Sequence, residues 1–339
     1  MAGINFAKSS NVNDSVFGKS QEPIRMMIES RAEAFQQKAV APVLFNQMNT
    51  RNFAEKFSGM TAMNGFLPVG EGGSYPQDEQ RVGFEKIIEH DTWKDQFVIT
   101  KEMIEDRKIG SSGKPRAFVD GYYRTRELFA AKLYIGGVFG TPVVINGRKY
   151  NITGNDDRPV FDLAHPSVYG ADFPVQGNKF SNAFDVAVLS ELESRMQNVV
   201  DDKGNVLNIA PDTIVIPNDG ALKMAVFAAL GADKDPATSN NGFNYQFGRW
   251  NIVVSPYLND LIHTNAGTVY KPWLLIDSHY NRDYGGAIWL DRIHLDVKSW
   301  IDDNNDNNVW NGRARFGAGF NDWRFAAVAG VFGGSDLTL

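Results

Sequence analysis

Residues 60–95 constrain this chain more than any other stretch. Gly65, Pro68, Gly70, Gly72, Gly73 and Pro76 punctuate the first half, and Arg81 to His90 then alternates, with Val82, Phe84 and Ile88 on one side. The pattern predicts a long β-hairpin whose tip lies around Glu71–Gln80. Its repeated glycines and prolines leave it few apolar residues to bury. An isolated two-stranded ribbon is marginal in water, so this hairpin needs a second surface, and another copy of the chain is the expected one.

The rest of the sequence reads as mixed helix and strand. A helix is predicted from Pro23, on the spacing of Ile24, Met27, Ile28 and Phe35. Pro42 interrupts it, and a second helical piece is expected from Val43 to about Phe57. The strongest helix signal covers 114–140, with Pro115 at the start and Phe118, Tyr122, Phe129 and Leu133 on one face. Gly136, Gly137 and Gly140 are read as its end, which gives a length of ~40 Å at ~1.5 Å per residue. A further amphipathic helix carries Phe184, Val188, Leu192, Met196 and Val199. Thr213–Ile216 is a buried strand, and Asp219 caps a helix that Gly231 closes. The last third reads as strands at Trp250–Tyr257, Trp273–Asp277, Ala287–Leu290, Ile293–Trp300, Val309–Phe316 and Trp323–Val331. This order is α+β, not a doubly wound sheet. With 339 residues, two lobes are expected rather than one core.

Composition removes several function classes. There is no cysteine, so a disulfide scaffold, thiolate zinc site, iron–sulfur cluster or cysteine nucleophile is excluded. The net charge is -6, which argues against a chain built to wrap nucleic acid. The N-terminus shows no apolar signal core, and the longest apolar run, Phe325–Phe332, is far short of the ~20 residues of a membrane helix. A soluble protein made in a cytoplasm is the expectation.

The search for chemistry returns little. His90, His165, His263, His279 and His294 show no three- or four-residue spacing, so no helical metal pair exists. Asp302 to Asn308 resembles a calcium loop, but the EF-hand glycine and glutamate positions hold Asn307 and Arg313, or Asn308 and Ala314. A polar turn between strands fits better. The Gly70–Ser74 and Gly317–Gly319 runs lack P-loop and dinucleotide patterns, and no Gly-x-Ser-x-Gly elbow occurs. They read as a hairpin tip and a strand bulge. Glu102, Glu105 and Asp106 lie among Lys101, Arg107 and Lys108, a salt-bridged surface rather than an acid/base pair. No cofactor is implied. The seven tryptophans leave a carbohydrate-active enzyme or lectin-like module as an alternative.

Three stretches together carry a resemblance. The first is Thr92–Asp106, with Thr92-Trp93-Lys94-Asp95 leading into Phe97-Val98-Ile99. The second is Ile209–Pro217, leading into a helix. The third joins Val253–Leu258, Trp273–Asp277, Arg313–Gly317 and Asp322-Trp323-Arg324. With the hairpin and long helix in this order, the chain resembles the major capsid proteins of tailed bacteriophages, which have the Hong Kong 97 fold.

The resemblance implies an N-terminal arm at 1–58 and an extended loop at 59–95. A peripheral domain would comprise 96–164 and 286–339, with the long helix as its spine, and an axial domain 165–285. It implies a non-enzymatic shell subunit that forms hexamers and pentamers, closes into an icosahedral head around double-stranded DNA, and resides in the virion after assembly in the host cytoplasm. The assembly contacts it implies are Gly70, Glu71, Gly72, Gly73, Tyr75, Arg81, Phe84 and Lys86 in the loop, Arg124 on the spine, and Asn241 and Phe243 in the 232–244 loop. No long charged N-terminal domain is present to act as a built-in scaffold. A separate scaffolding protein, or use of residues 1–57 in that role, is therefore expected, with a portal and a decoration protein as further partners. No specific lysine–asparagine match carries over the cross-link that some relatives form. An encapsulin-like compartment, which shares the fold but encloses protein cargo, is the other alternative.

Overall fold

The computed structural model describes residues 5–6, 26–35, 39–60, 63, 65–77, 82–106, 113–170, 175–231 and 244–337. Segment 1–22 apart from Asn5–Phe6, the predicted helix start at Pro23–Ile24, and Arg107 and Lys108 lie outside these. The chain divides into two compact units. One collects Met1–Glu55, Ile88–Ala130 and Trp289–Ala318, and the other Lys56–Ile87, Ala131–Ile288 and Gly319–Leu339.

The first unit is a sheet backed by helix. Its strands run in the order Asn5–Phe6, Ala287–Asp302, Asn307–Phe320, Asp91–Ile99, and Asn46–Asn49 also pairs with Ala287–Asp302. The register sets Trp310 opposite Phe97 and Ala314 opposite Trp93. Side chains alternate along a strand, so Trp93, Phe97, Trp310 and Phe316 share one face. There they meet Phe118 and Phe129 of the long helix, Lys114–Phe139. Ile28, Ala32 and Phe35 of the 26–35 helix close the same core.

Three charged contacts fix the helices of this unit. Arg126 donates both guanidinium nitrogens to Asp291, at 2.7 and 2.9 Å, with side chains only 6% and 4% exposed. Its guanidinium also lies 4.7 Å from the Trp289 ring. Arg31 grips Asp120 in the same bidentate way. The Glu127 carboxylate accepts the backbone N–H groups of Val40 and Ala41, which begin the short helix Ala41–Leu44. Burial raises its pKa, and those two N–H groups work against the rise.

The second unit holds a four-stranded sheet ordered Ala326–Ala329, Trp273–Ile276, Thr213–Pro217, Asn251–Ser255. The first two pairings are antiparallel and the last is parallel. The three strands other than Asn251–Ser255 are buried along their whole length, which explains their unbroken apolar runs. The amphipathic helix is Val186–Gln197, capped by Asp185, and Asp219 caps Gly220–Leu230 before Gly231.

Several expectations need correction. Helix does not continue through 43–57. Phe45 turns extended to pack on Trp289, and Asn46–Asn49 and Ala54–Met60 are strands. Gly136 and Gly137 do not end the long helix but lie inside it. A Cβ at Gly136 would sit 2.7 Å from the Thr141 carbonyl oxygen, and one at Gly137 2.6 Å from Val160 Cγ1. Gly140, at φ +66°, is the helix stop. Ala287–Leu290 and Ile293–Trp300 are one strand, Ala287–Asp302, in which the buried Asp291 is paired by Arg126. Gly317 lies within the strand Asn307–Phe320, where its missing side chain lets the Glu89 carbonyl approach. The Asp302–Asn308 run is the expected turn. The backbone N–H of Asp306 bonds back to the Asp302 carbonyl, and Asp306 holds Lys101 at 2.8 Å.

Candidate assembly surfaces

The predicted hairpin exists as a short ribbon with a long excursion. Ala54–Met60 pairs with Val82–Glu89, and Lys56 meets Glu85 at 2.7 Å across it. Between the two strands, residues 65–77 form no strand. The Gly73 N–H closes a turn on the Gly70 carbonyl at 2.9 Å, and Gly72 takes φ +77°, a conformation that favours glycine. Glu71 and Gly72 are the turn's centre, inside the span expected for the tip.

What this segment exposes is apolar. Phe66 is 108% exposed and Tyr75 98%, and Met63, Leu67 and Val69 are exposed with them. These side chains touch no core of their own chain. A run of exposed apolar side chains on one segment marks a binding surface. The sequence reading chose the glycines and Tyr75 but passed over Met63, Phe66, Leu67 and Val69. The signal was present in Met63-Asn64-Gly65-Phe66-Leu67-Pro68-Val69, apolar residues on a stretch with no helical or strand period.

The other expected contact residues fall in different settings. Gly70, Glu71, Gly72, Gly73 and Tyr75 come together on the exposed segment. Phe84 is half-buried on the returning strand. Lys86 turns inward and is buried. Its ammonium donates to Thr153 Oγ1 at 2.7 Å and to the Gly154 carbonyl at 3.1 Å. Burial lowers its pKa, opposed by the nearby carboxylates of Asp157 and Asp156. Lys86 therefore anchors the ribbon to the 153–157 loop. Arg124 is exposed on the long helix, at a groove lined by Trp93, Phe118 and Tyr122. Arg81, Asn241 and Phe243 lie outside the described residues.

Nothing in this surface resembles catalytic machinery. Among the described residues, no three His, Asp or Glu side chains gather in a way that could hold a metal ion. The nearest approach to a dyad is His165, whose Nδ1 lies 2.6 Å from Asp156 Oδ2. Its Nε2 faces Asn178 Oδ1 at 3.3 Å, and its ring stacks on Trp323 at 4.2 Å. Asn178 is oriented by donating to the Val160 and Ala326 carbonyls, so its oxygen must point at the histidine. An amide oxygen is not a nucleophile, and the cluster is a buried clamp. Of the seven tryptophans, Trp273, Trp289 and Trp310 are fully buried and serve the core.

A family model described as "Phage capsid protein" matches residues 84–329. No curated protein sequence matches the chain. Among solved structures, the mature capsid of bacteriophage PhiM1 is similar with a TM-score of 0.50 and 10% identity, over 87% of this chain and 87% of that one. The capsid of Ralstonia phage GP4 scores 0.49 at 12% identity, covering 84% of this chain and 86% of that one. A virus-like particle from Pyrococcus furiosus scores 0.48 at 8% identity, covering 91% and 98%. At such identities the likeness is one of fold.

Proposed function

This chain belongs to the phage capsid protein family, and from that premise we propose that it forms hexamers and pentamers that close into an icosahedral head around double-stranded DNA. It is a structural protein of the capsid shell with the Hong Kong 97-like α+β fold, not an enzyme. Its principal partner is itself, and its location is the virion capsid. Among the described residues no helix is long and apolar enough to cross a membrane.

The observation that carries the proposal is the exposed apolar segment at 63–75, rooted by a buried lysine. We assign it to the extended loop, 59–95, which lies across a neighbouring subunit. The arm is 1–58, the peripheral domain 96–164 with 286–339, and the axial domain 165–285. Each contact is weak alone, and a closed shell sums many of them. Heterologous contacts of this kind close into rings. Assembly in the host cytoplasm draws on a separate scaffolding protein, a portal and a decoration protein.

Deleting Gly70–Gln80 tests this. The expected result is a soluble, folded subunit that builds no shells by electron microscopy. Normal shells from the deletion would overturn the role assigned to the segment.

A further inference from the structure

The sheet of the first unit has a second face. Trp93, Phe97, Trp310 and Phe316 point to the helix side, so Lys94 and Arg313 point away from it, and the register sets these two directly opposite each other. Leu295 and Val297 of the neighbouring strand lie in the core, so Asp296 and Lys298 join the far face. Lys94, Gln96, Lys298, Asn311 and Arg313 line one groove of about 550 Å³ there. Arg315 follows Arg313 on the same strand. Its guanidinium is held below its ordinary range by burial and by the charges of Arg292 and Arg313.

This face gathers cations without answering them. Among the described residues, Lys94, Arg292, Lys298, Arg313 and Arg315 form no ion pair with the chain, and two acids, Asp95 and Asp296, line the same groove. Like charges set opposite on a sheet are destabilising. A fold that keeps them together leaves their counter-charge to be supplied from outside.

We propose that this face binds the phosphate backbone of double-stranded DNA without reading its sequence. The chemistry separates this from a protein contact. Cores of protein–protein interfaces are depleted of charge and rich in aromatic side chains. Here the one large apolar side chain in the groove is Trp300, and the uncharged polar ones are the amides Gln96 and Asn311. Arg, Lys, Asn and Gln are the residues that contact phosphate, and protein–DNA interfaces are polar and positive. Alternate residues on a strand stand ~6.8 Å apart and strands ~4.8 Å apart, so a flat array of cations faces several phosphates at once. The apolar surface suited to other copies lies elsewhere, on the 63–75 segment. The identification of DNA as the anion rests on the capsid reading, whereas the phosphate chemistry does not.

The test uses the full-length chain and a labelled random-sequence duplex, with a salt series. The wild type binds, and log K falls with log[salt]. The double variant Lys94→Gln/Arg313→Gln removes two exposed cations. It binds on the order of 100-fold more weakly at low salt, and its salt slope is shallower by about 1.8. Lys132→Ala, an exposed cation on the long helix, changes neither. The melting temperature of the double variant is unchanged or higher, because a like-charge opposition is relieved. Equal binding by wild type and double variant overturns the proposal, as does a wild type that does not bind at low salt. A double variant that binds DNA normally but builds no shells also overturns it, and assigns the face to contacts between copies. If the wild type builds no shells yet its DNA binding depends on these residues, phosphate binding stands and the capsid reading falls.

Discussion

Phe66 separates folding from assembly because it is entirely outside its own chain's core. At 108% exposure it contributes nothing to the packing of the isolated subunit. If a neighbouring subunit covers it, the contact gains the burial of a phenylalanine side chain, about 1.5–3 kcal/mol. Each 1.4 kcal/mol is about a factor of ten in an association constant. Phe66→Ser therefore weakens the loop contact roughly 10- to 150-fold, and the subunit concentration at which shells appear rises by a similar factor. The assay is a titration of purified subunit followed by light scattering, with electron microscopy of the products and a melting curve of the unassembled protein. Tyr75→Ser moves the threshold in the same direction. Val144→Ser is the control, since Val144 is an exposed apolar residue of a different element, the short strand Val143–Ile145. An unchanged threshold for Phe66→Ser refutes the reasoning. So does a lowered melting temperature, which would mean that Phe66 packs within its own chain.

Two further outcomes follow from charges inside the units. Asp291→Leu leaves Arg126 buried without its carboxylate and costs about 3–5 kcal/mol in denaturant unfolding, while Arg126→Met/Asp291→Leu recovers most of it; a double variant as unstable as the single would show that geometry, not charge, holds the site. The Asp219 carboxylate is held below the usual range by the Lys271 ammonium and the Leu222 N–H, so its contribution is complete above the unfolded carboxylate pKa and is lost as pH falls through the lower folded value; the melting-temperature gap between wild type and Asp219→Asn is therefore wide at pH 7 and narrows by pH 3, and a constant gap would contradict this.

The elements legible in the sequence were those whose apolar spacing is set by burial on one side. Phe118, Phe129 and Leu133 mark the long helix because they face a core, and the strands at 213–217 and 273–276 read clearly because both of their faces are buried. Misreadings arose where a distant residue changes what a local one means. The strand 287–302 was read as two pieces on either side of Asp291 and Arg292, and the pairing of Asp291 with Arg126, 165 positions away, shows how a charge sits inside it. Gly136 and Gly137 read as a stop until Thr141 and Val160 occupy the space of their missing side chains. The helix Ser278–Tyr284 went unread because it has no apolar stripe, although Asp277 at its start and Gly285 at φ +61° are ordinary end signals. At the candidate surface, the glycine turn was legible and the inward path of Lys86 was not, since its acceptors lie at 153–154.

Net charge is the clearest case of a sequence property that folding redistributes. A value of -6 argues against polyanion binding only if the charges are mixed evenly. Strand alternation and register instead bring Lys94, Arg292, Lys298, Arg313 and Arg315 to one face, and cations without an ion-pair partner collect there. The excess of acid must then lie over the remainder of the chain. On the function proposed above, the protein has two demands that conflict on a uniform surface: copies must hold one another, and the wall must not seize the DNA it would enclose. Separate surfaces resolve the conflict. An apolar segment keeps its strength at high salt because its contact is not ionic. A small cationic face is weakened by salt, so under the binding proposed for it the hold on a duplex would stay adjustable rather than fixed.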